Sequence, residues 1–470
     1  MQGLLRILAV GALAVSAGRV SSPRAADAAL GGSGLRVPSV ALAPRRTAPF
    51  AGRLRSNSAQ RRGAQAATDS PSFSSSFSPP FSSEARRSAG TASVTLPFRV
   101  QPDDSLTREA FEKYYNMDYS GAIALFREER KARPGDPFVV NHLLAAVLAK
   151  ELNREGALDA TLYMGNRFLQ LKVPPVDPAV KAEIGRLSQR ALALANQRLA
   201  KNPRDVNALF ARGVARGLAT VYSAVIEKKW LGALRQALGA YHDDVHILKL
   251  DPNYSDAKLV VGTYQYIVGS LSWWEKGIGF VADIHGSKRR GLELLREAGD
   301  GGGQESVDAK TILALFLARD KKYPEAIQII GGLYADFPHN FIFGLAQADL
   351  LHASGQHEEA IAAYRKLVAL AQQGFFPDAR AERAALSLGN ALRNEKDYAG
   401  AAKAYDESAN FPRANPAIVA AAALDAGEMY DLLNERDAAL ERYHRAIQIA
   451  PGSITARAAA RLLRHPYRGS

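Results

Sequence analysis

No cysteine occurs in the 470-residue chain, which excludes disulfides, thiolate metal sites, cysteine nucleophiles and acylation of a lipoprotein cysteine. Carboxylates are scarce over the first 98 positions, which hold 12 arginines, three acidic residues and no lysine. Of 60 basic and 47 acidic residues overall, 48 and 44 therefore fall after Phe98. The remainder is nearly balanced, so a pI near 9.7 gives little support to a nucleic-acid partner. Strand-like alternation is almost missing after about Ser105, where apolar residues recur at helical spacings of three and four. The chain also lacks G-x-S-x-G, a nucleotide fingerprint and any constellation of catalytic carboxylates, so neither an enzyme nor a cofactor is expected.

What is present begins with a leader. MQGLLR carries one arginine, the apolar run Ile7–Ala17 follows, and Val15-Ser16-Ala17 supplies small residues, the three parts of a secretory signal peptide. Eleven apolar residues are too few to span a bilayer. The expectation is an exported protein, periplasmic or extracellular, with a signal peptide over 1–17. Because residues 19–95 are rich in Arg, Ser, Ala and Pro and poor in acid, an organellar transit peptide fits as well. SPSFSSSFSPPFSSEARRSAG, residues 70–90, has no helical or strand period, and disorder is expected over 18–98.

The rest of the chain repeats itself. DYSGAIALFREERKARP sets Tyr119, Ala122, Phe126 and Pro134 in a spacing that returns as Tyr323, Ala326, Ile330 and Pro338. It returns again as Ala360 and Tyr364, as Tyr398, Ala401 and Tyr405, and as Ala439, Tyr443, Ala446 and Pro451. Twelve positions before each alanine stands a small residue: Ala110, Ala314, Ala348, Gly389 and Gly427. The alanines Ala326, Ala360, Ala401 and Ala439 lie 34, 41 and 38 residues apart.

This pattern resembles the tetratricopeptide repeat, a helix–turn–helix unit of about 34 residues. Small residues sit where two antiparallel helices touch, the aromatic fills the gap to the next unit, and proline stops the second helix. The resemblance implies an all-α, right-handed α-solenoid, with enlarged, irregular repeats over 99–306, regular ones over 307–451, and a capping helix and tail over 452–470. Pro203 with Gly213, and Pro252 with Gly262, repeat one phrase, and the helices after both glycines are expected to be over-long. Gly262 to Ala298 reads as one enlarged repeat, with a first helix through TYQYIVGS, an insertion over 271–286 and a second helix at SKRRGLELLREAG. The region around HGSKRRGLELLREA also looks like the middle of a eukaryotic repeat family that includes inclusion-body clearance factors.

Candidate binding residues follow from the repeat. First helices line the concave face of such arrays, and a protein or peptide partner is expected there. In the phase of the repeat, Arg383, Asn390, Arg393, Asn394, Arg319, Asp349, His352, Thr263 and Tyr266 fall on that face. Asparagine can bond a peptide backbone in both directions and arginine can clamp a carboxylate. Trp273 and Trp274, beside Lys288, Arg289 and Arg290, read as filling of an enlarged repeat, with a hydrophobic-ligand or membrane-surface contact as the alternatives. His242 and His246, four apart, share a helix face but have no identifiable third ligand, so no metal is expected. GDGGGQ, residues 299–304, lacks the lysine and hydroxyl residue of a phosphate loop and reads as a flexible turn between helices.

Overall fold

A computed structural model describes residues 95–158, 176–271, 286–376, 379–411 and 414–469. These residues form eight consecutive helix pairs and a last single helix, with no strand among them. The pairs are α1 (Ser105–Tyr115) with α2 (Tyr119–Ala132), α3 (Pro137–Arg154) with α4 (Pro178–Lys201), α5 (Val206–Val221) with α6 (Trp230–Leu250), and α7 (Ala257–Ser270) with α8 (Lys288–Asp300). There follow α9 (Ser306–Arg319) with α10 (Tyr323–Asp336), α11 (Phe341–Ala353) with α12 (His357–Gln372), α13 (Glu382–Asn394) with α14 (Tyr398–Ser408), and α15 (Pro416–Leu432) with α16 (Arg436–Ile449). The last helix is α17 (Ile454–Leu462). This is the all-α solenoid that the repeat implies. The signal-like leader, the Ser70–Gly90 stretch, and Trp273 and Trp274 lie outside the described residues.

Local chemistry sets the helix boundaries. Asp104, Asp118, Asp136, Asp177, Asp205, Asn340, Asp397, Asn415 and Ser453 each accept a hydrogen bond from a backbone N–H of the first turn that follows. Pro137, Pro178 and Pro416 occupy the first helical position, where a missing N–H costs nothing. Within a pair the turn has its own signature. The residue two before the second helix takes a left-handed backbone in six pairs: Met117, Lys228, Lys321, Gly355, Lys396 and Asn434, at φ between 57° and 87°. Only one of the six is glycine, so glycine punctuation does not mark these turns.

The repeated small residues do what their spacing implies. Ala122, Ala326, Ala360, Ala401 and Ala439 have no exposed surface. A Cβ on Gly389 would lie 2.4 Å from the Tyr405 ring, and one on Gly427 would lie 2.5 Å from that of Tyr443. The aromatic of the second helix therefore presses on the small residue of the first, sixteen positions earlier. Replacing fully buried Ala326 or Ala401 by leucine should overpack its surroundings and cost about 1–3 kcal/mol. Exposed Lys366 to leucine should change the urea midpoint far less, and equal effects at the three positions would be incompatible with this register.

Two expectations about length part ways. After Gly213 the chain is over-long, with Tyr222–Ile226 wound as a π-helix and α6 running 21 residues. After Gly262 both helices are of ordinary length, 14 and 13 residues. The extra residues of that repeat fall between them, within 272–285.

The largest departure from a simple array is non-local. In a solenoid each repeat contacts only its neighbours. Here the first pair packs on the fifth and sixth: the Tyr115 ring lies 5.2 Å from that of Phe337, and its hydroxyl donates to Asp308 Oδ2 at 3.0 Å. Asn340 Nδ2 donates to the Tyr115 carbonyl at 2.6 Å, and the His339 amide to Asn116 Oδ1 at 3.1 Å. Further on, Arg380 Nη1 donates to the Arg154 carbonyl at 2.8 Å. The consequence for α9 is burial of every residue from Ser306 to Ala318 except Lys310.

The glycine stretch 299–304 is part of this junction and is pinned, not a flexible turn. The Asp256 carboxylate accepts from the Gln304 and Glu305 amides at 3.2 and 3.0 Å. The Gly302 carbonyl accepts from the Arg99 amide at 2.9 Å, and Gln304 Nε2 lies 3.2 Å from His142 Nε2. Gly302 has φ +63°, and a Cβ on Gly303 would collide with Asp256 at 2.1 Å. Glycine is required there by close approach.

Candidate functional site

The nine residues expected on the first-helix face do not share one fate. Thr263 and Tyr266 are buried, 2% and 0% exposed, and leave the candidate groove. The Tyr266 ring stacks on Phe316 with centroids 3.8 Å apart, its hydroxyl donates to Asp320 Oδ1 at 2.9 Å, and Lys288 stands 5.1 Å above it. It closes the joint between the fourth and fifth pairs. The repeat phase places both residues outward; the α7–α8–α9 packing turns them in.

Asp349 and Arg383 line a crevice of about 30 Å³ with Asn153, Gly156, Leu158 and Arg380. That volume holds about one water, so these two side chains face the end of α3 instead of an open groove. Asp349 Oδ1 also accepts from the Tyr364 hydroxyl at 2.6 Å. Asn390 Oδ1 accepts from Tyr405 in the same way at 2.8 Å. In both pairs the polar residue stands fifteen positions before the tyrosine, so the bond has a spacing of its own in the chain. Burial drives the hydroxyls of Tyr364 and Tyr405 well above the ordinary tyrosine pKa, so both remain donors. His352 is half-buried, its Nδ1 3.4 Å from that of His357, and burial followed by that neighbour lowers its pKa. Arg319 is exposed at the end of α9.

The residues that remain together and accessible are on α13. Asn390 and Asn394 are exposed and four apart, hence on one helix face. Arg393 is half-buried beside them and reaches α15, where Glu428 Oε2 lies at 3.0 Å and Asp425 Oδ1 at 3.9 Å. Burial, and next the charge of Glu428, raise the Asp425 pKa to about 7 against the pull of Arg393. Glu428 is raised by burial as well, with Arg393 opposing. Asp431, one turn on, is 1% exposed at its side chain and accepts from Arg436 Nη1 at 2.8 Å and from the Tyr443 hydroxyl at 2.7 Å. The repeat phase singles out Arg393 and the asparagines but none of these three carboxylates, because α15 carries no repeat marker except Gly427.

His242 and His246 are both exposed on α6, and Asp243 between them is engaged by Arg212 Nη2 at 2.6 Å and Arg216 Nη1 at 2.7 Å. Among the described residues no group of three potential ligands forms around them. A wider cleft of about 330 Å³ opens where the first pair meets the sixth, between Glu112 and Asn116 on one side and His339, Phe341 and Phe376 on the other.

No protein-family model and no curated protein matches the sequence. Among solved structures, the Cut9 and Hcn1 hetero-tetramer of the APC/C is similar at 14% identity, with 77% of this chain and 55% of that chain covered and a TM-score of 0.40. This chain thus spans about half the length of that relative. PilF of Pseudomonas aeruginosa is similar at 18% identity, with 52% and 96% covered and a TM-score of 0.32. The human IFIT1 dimer with PPP-AAAA is similar at 14% identity, with 77% and 80% covered and a TM-score of 0.36.

Proposed function

We propose that this chain is a non-enzymatic repeat scaffold, exported to a periplasmic or other envelope compartment, that binds a protein or peptide along the first helices of its last pairs. The observation that supports the reading is the α13 face. Asn390 and Asn394 stand exposed beside Arg393, on a helix that Gly389 seats against the Tyr405 ring. Rigid helices carrying exposed, bidirectional hydrogen-bonding groups can hold an extended backbone without paying for their own ordering.

The face expected to be open over the fifth to seventh pairs is narrower than the sequence suggests, since the first and second pairs cover its N-terminal part. Binding is therefore assigned to the C-terminal part. A photo-crosslinking residue at Asn394, in the full chain in its own host, should trap a discrete partner. The same residue at exposed Lys366, on α12, should not. Equal trapping at both positions, or none at Asn394, would remove this reading.

A further inference from the structure

The chain after α17 turns back onto the array. The carbonyls of Leu462 and Leu463 accept from Arg436 Nη2 at 2.7 and 2.9 Å. The Tyr467 amide donates to Asp431 Oδ2 at 2.8 Å. Its hydroxyl accepts from Arg393 Nη2 at 2.8 Å, with the guanidinium carbon 5.5 Å from the ring centroid. Arg393 belongs to α13 and Asp431 to α15. A few residues without helix or strand thus bridge the first helices of two successive pairs, on the face assigned above to a partner.

The way this stretch is held is that of a bound peptide. Beyond Leu463 only Tyr467 is half-buried, while Arg464, His465, Pro466, Arg468 and Gly469 are exposed. To α13 and α15 the contact is one aromatic ring, one phenol oxygen and one backbone amide, all of Tyr467, while the Leu463 carbonyl accepts from Arg436 of α16. Each of the three is something another chain could supply. Arg393 is matched by Glu428 and Arg436 by Asp431, and Asp425 also lies 3.9 Å from Arg393.

We infer that the surface between α13 and α15 docks a tyrosine of an extended partner segment, and that residues 463–469 are an intramolecular copy of that segment which competes for it. The inference rests on the first-helix face being a binding surface and adds the chemistry of the ligand and a gate. An internal competitor lowers apparent affinity by the fraction of molecules in which it is docked. Removing its anchor raises that affinity with no new contact to the partner.

The test uses a labelled, end-capped heptapeptide LRHPYRG, the sequence of residues 463–469, and the full chain, read by fluorescence anisotropy. Tyr467→Ala should bind the peptide at least tenfold more tightly than the parent. Adding Arg393→Ala to that variant should remove at least tenfold. Equal affinity of parent and Tyr467→Ala, or no binding to the variant at millimolar peptide, would overturn the inference and reduce the contact to an end cap. Should Tyr467→Ala lose the helical circular dichroism of the parent, Tyr467→Phe serves instead. It keeps the ring and loses the acceptor, so at least a threefold gain is expected and no gain overturns the proposal. Failure here with Asn394 crosslinks intact discards the ligand chemistry alone, whereas loss of the crosslinks discards the binding face itself.

Discussion

Replacing Tyr115 by alanine should lower the unfolding free energy by about 3–5 kcal/mol, the usual cost of deleting a fully buried aromatic. The ring is 1% exposed and touches Phe98, Phe111, Tyr114 and Phe337. In a nearest-neighbour array such a change would fray the terminal repeat and leave the others intact. Here the loss should spread, because the substitution removes both the hydroxyl that donates to Asp308 on α9 and the ring that packs on Phe337 ahead of α11. Hydrogen exchange provides the check: α9 and α11 should lose protection together with α1. Protection lost in α1 and α2 alone would show that the junction between the first and fifth pairs contributes little.

The second large effect is a dependence on pH. Asp425 has a folded-state pKa of about 7 against an ordinary value of 3.8, so the folded state holds a proton that the unfolded chain has released. Stability from this group is fully present below the unfolded value and is lost as pH rises through about 7. Asp425→Asn removes the titration. Relative to the parent, the variant should gain little at pH 4 and on the order of 2–4 kcal/mol at pH 8, since each tenfold change in proton affinity is worth about 1.4 kcal/mol. Urea midpoints at the two pH values test the sign. A gain that shrinks with rising pH would mean that the ion pair with Arg393 outweighs the burial.

The repeat is legible because its markers are local. Tyr405 and Gly389, or Tyr443 and Gly427, meet within one pair, so a fixed spacing in the chain becomes a fixed contact in space. Gly262 and the helix that starts at Lys288 fall in one pair, as their sequence suggests, for the same reason. Tyr266 is misplaced by the repeat phase because its surroundings come from α8 and α9, and the phase knows only the helix it sits on. Asp349 and Arg383 are misplaced by a longer-range effect: nothing near them in sequence announces that the end of α3 will lie across them. The intra-pair turns give no signal because lysine, methionine and asparagine occupy the left-handed positions where glycine is the usual marker. The docked stretch at Tyr467 reads as a tail, since its partners are single side chains on two different helices.

The junction at Tyr115 also sets a schedule for synthesis. Its partners Asp308, Phe337 and Asn340 are made some 190 to 225 residues after it. At about 5–20 residues per second, the ribosome needs on the order of 10–45 s to deliver them. During that interval the aromatic face of α1 has no Phe337 to cover it, and closing so long a loop adds a slow, entropic step to what would otherwise be helix-by-helix growth. The nascent first pair is thus open to chaperones and to wrong partners until the fifth pair captures it.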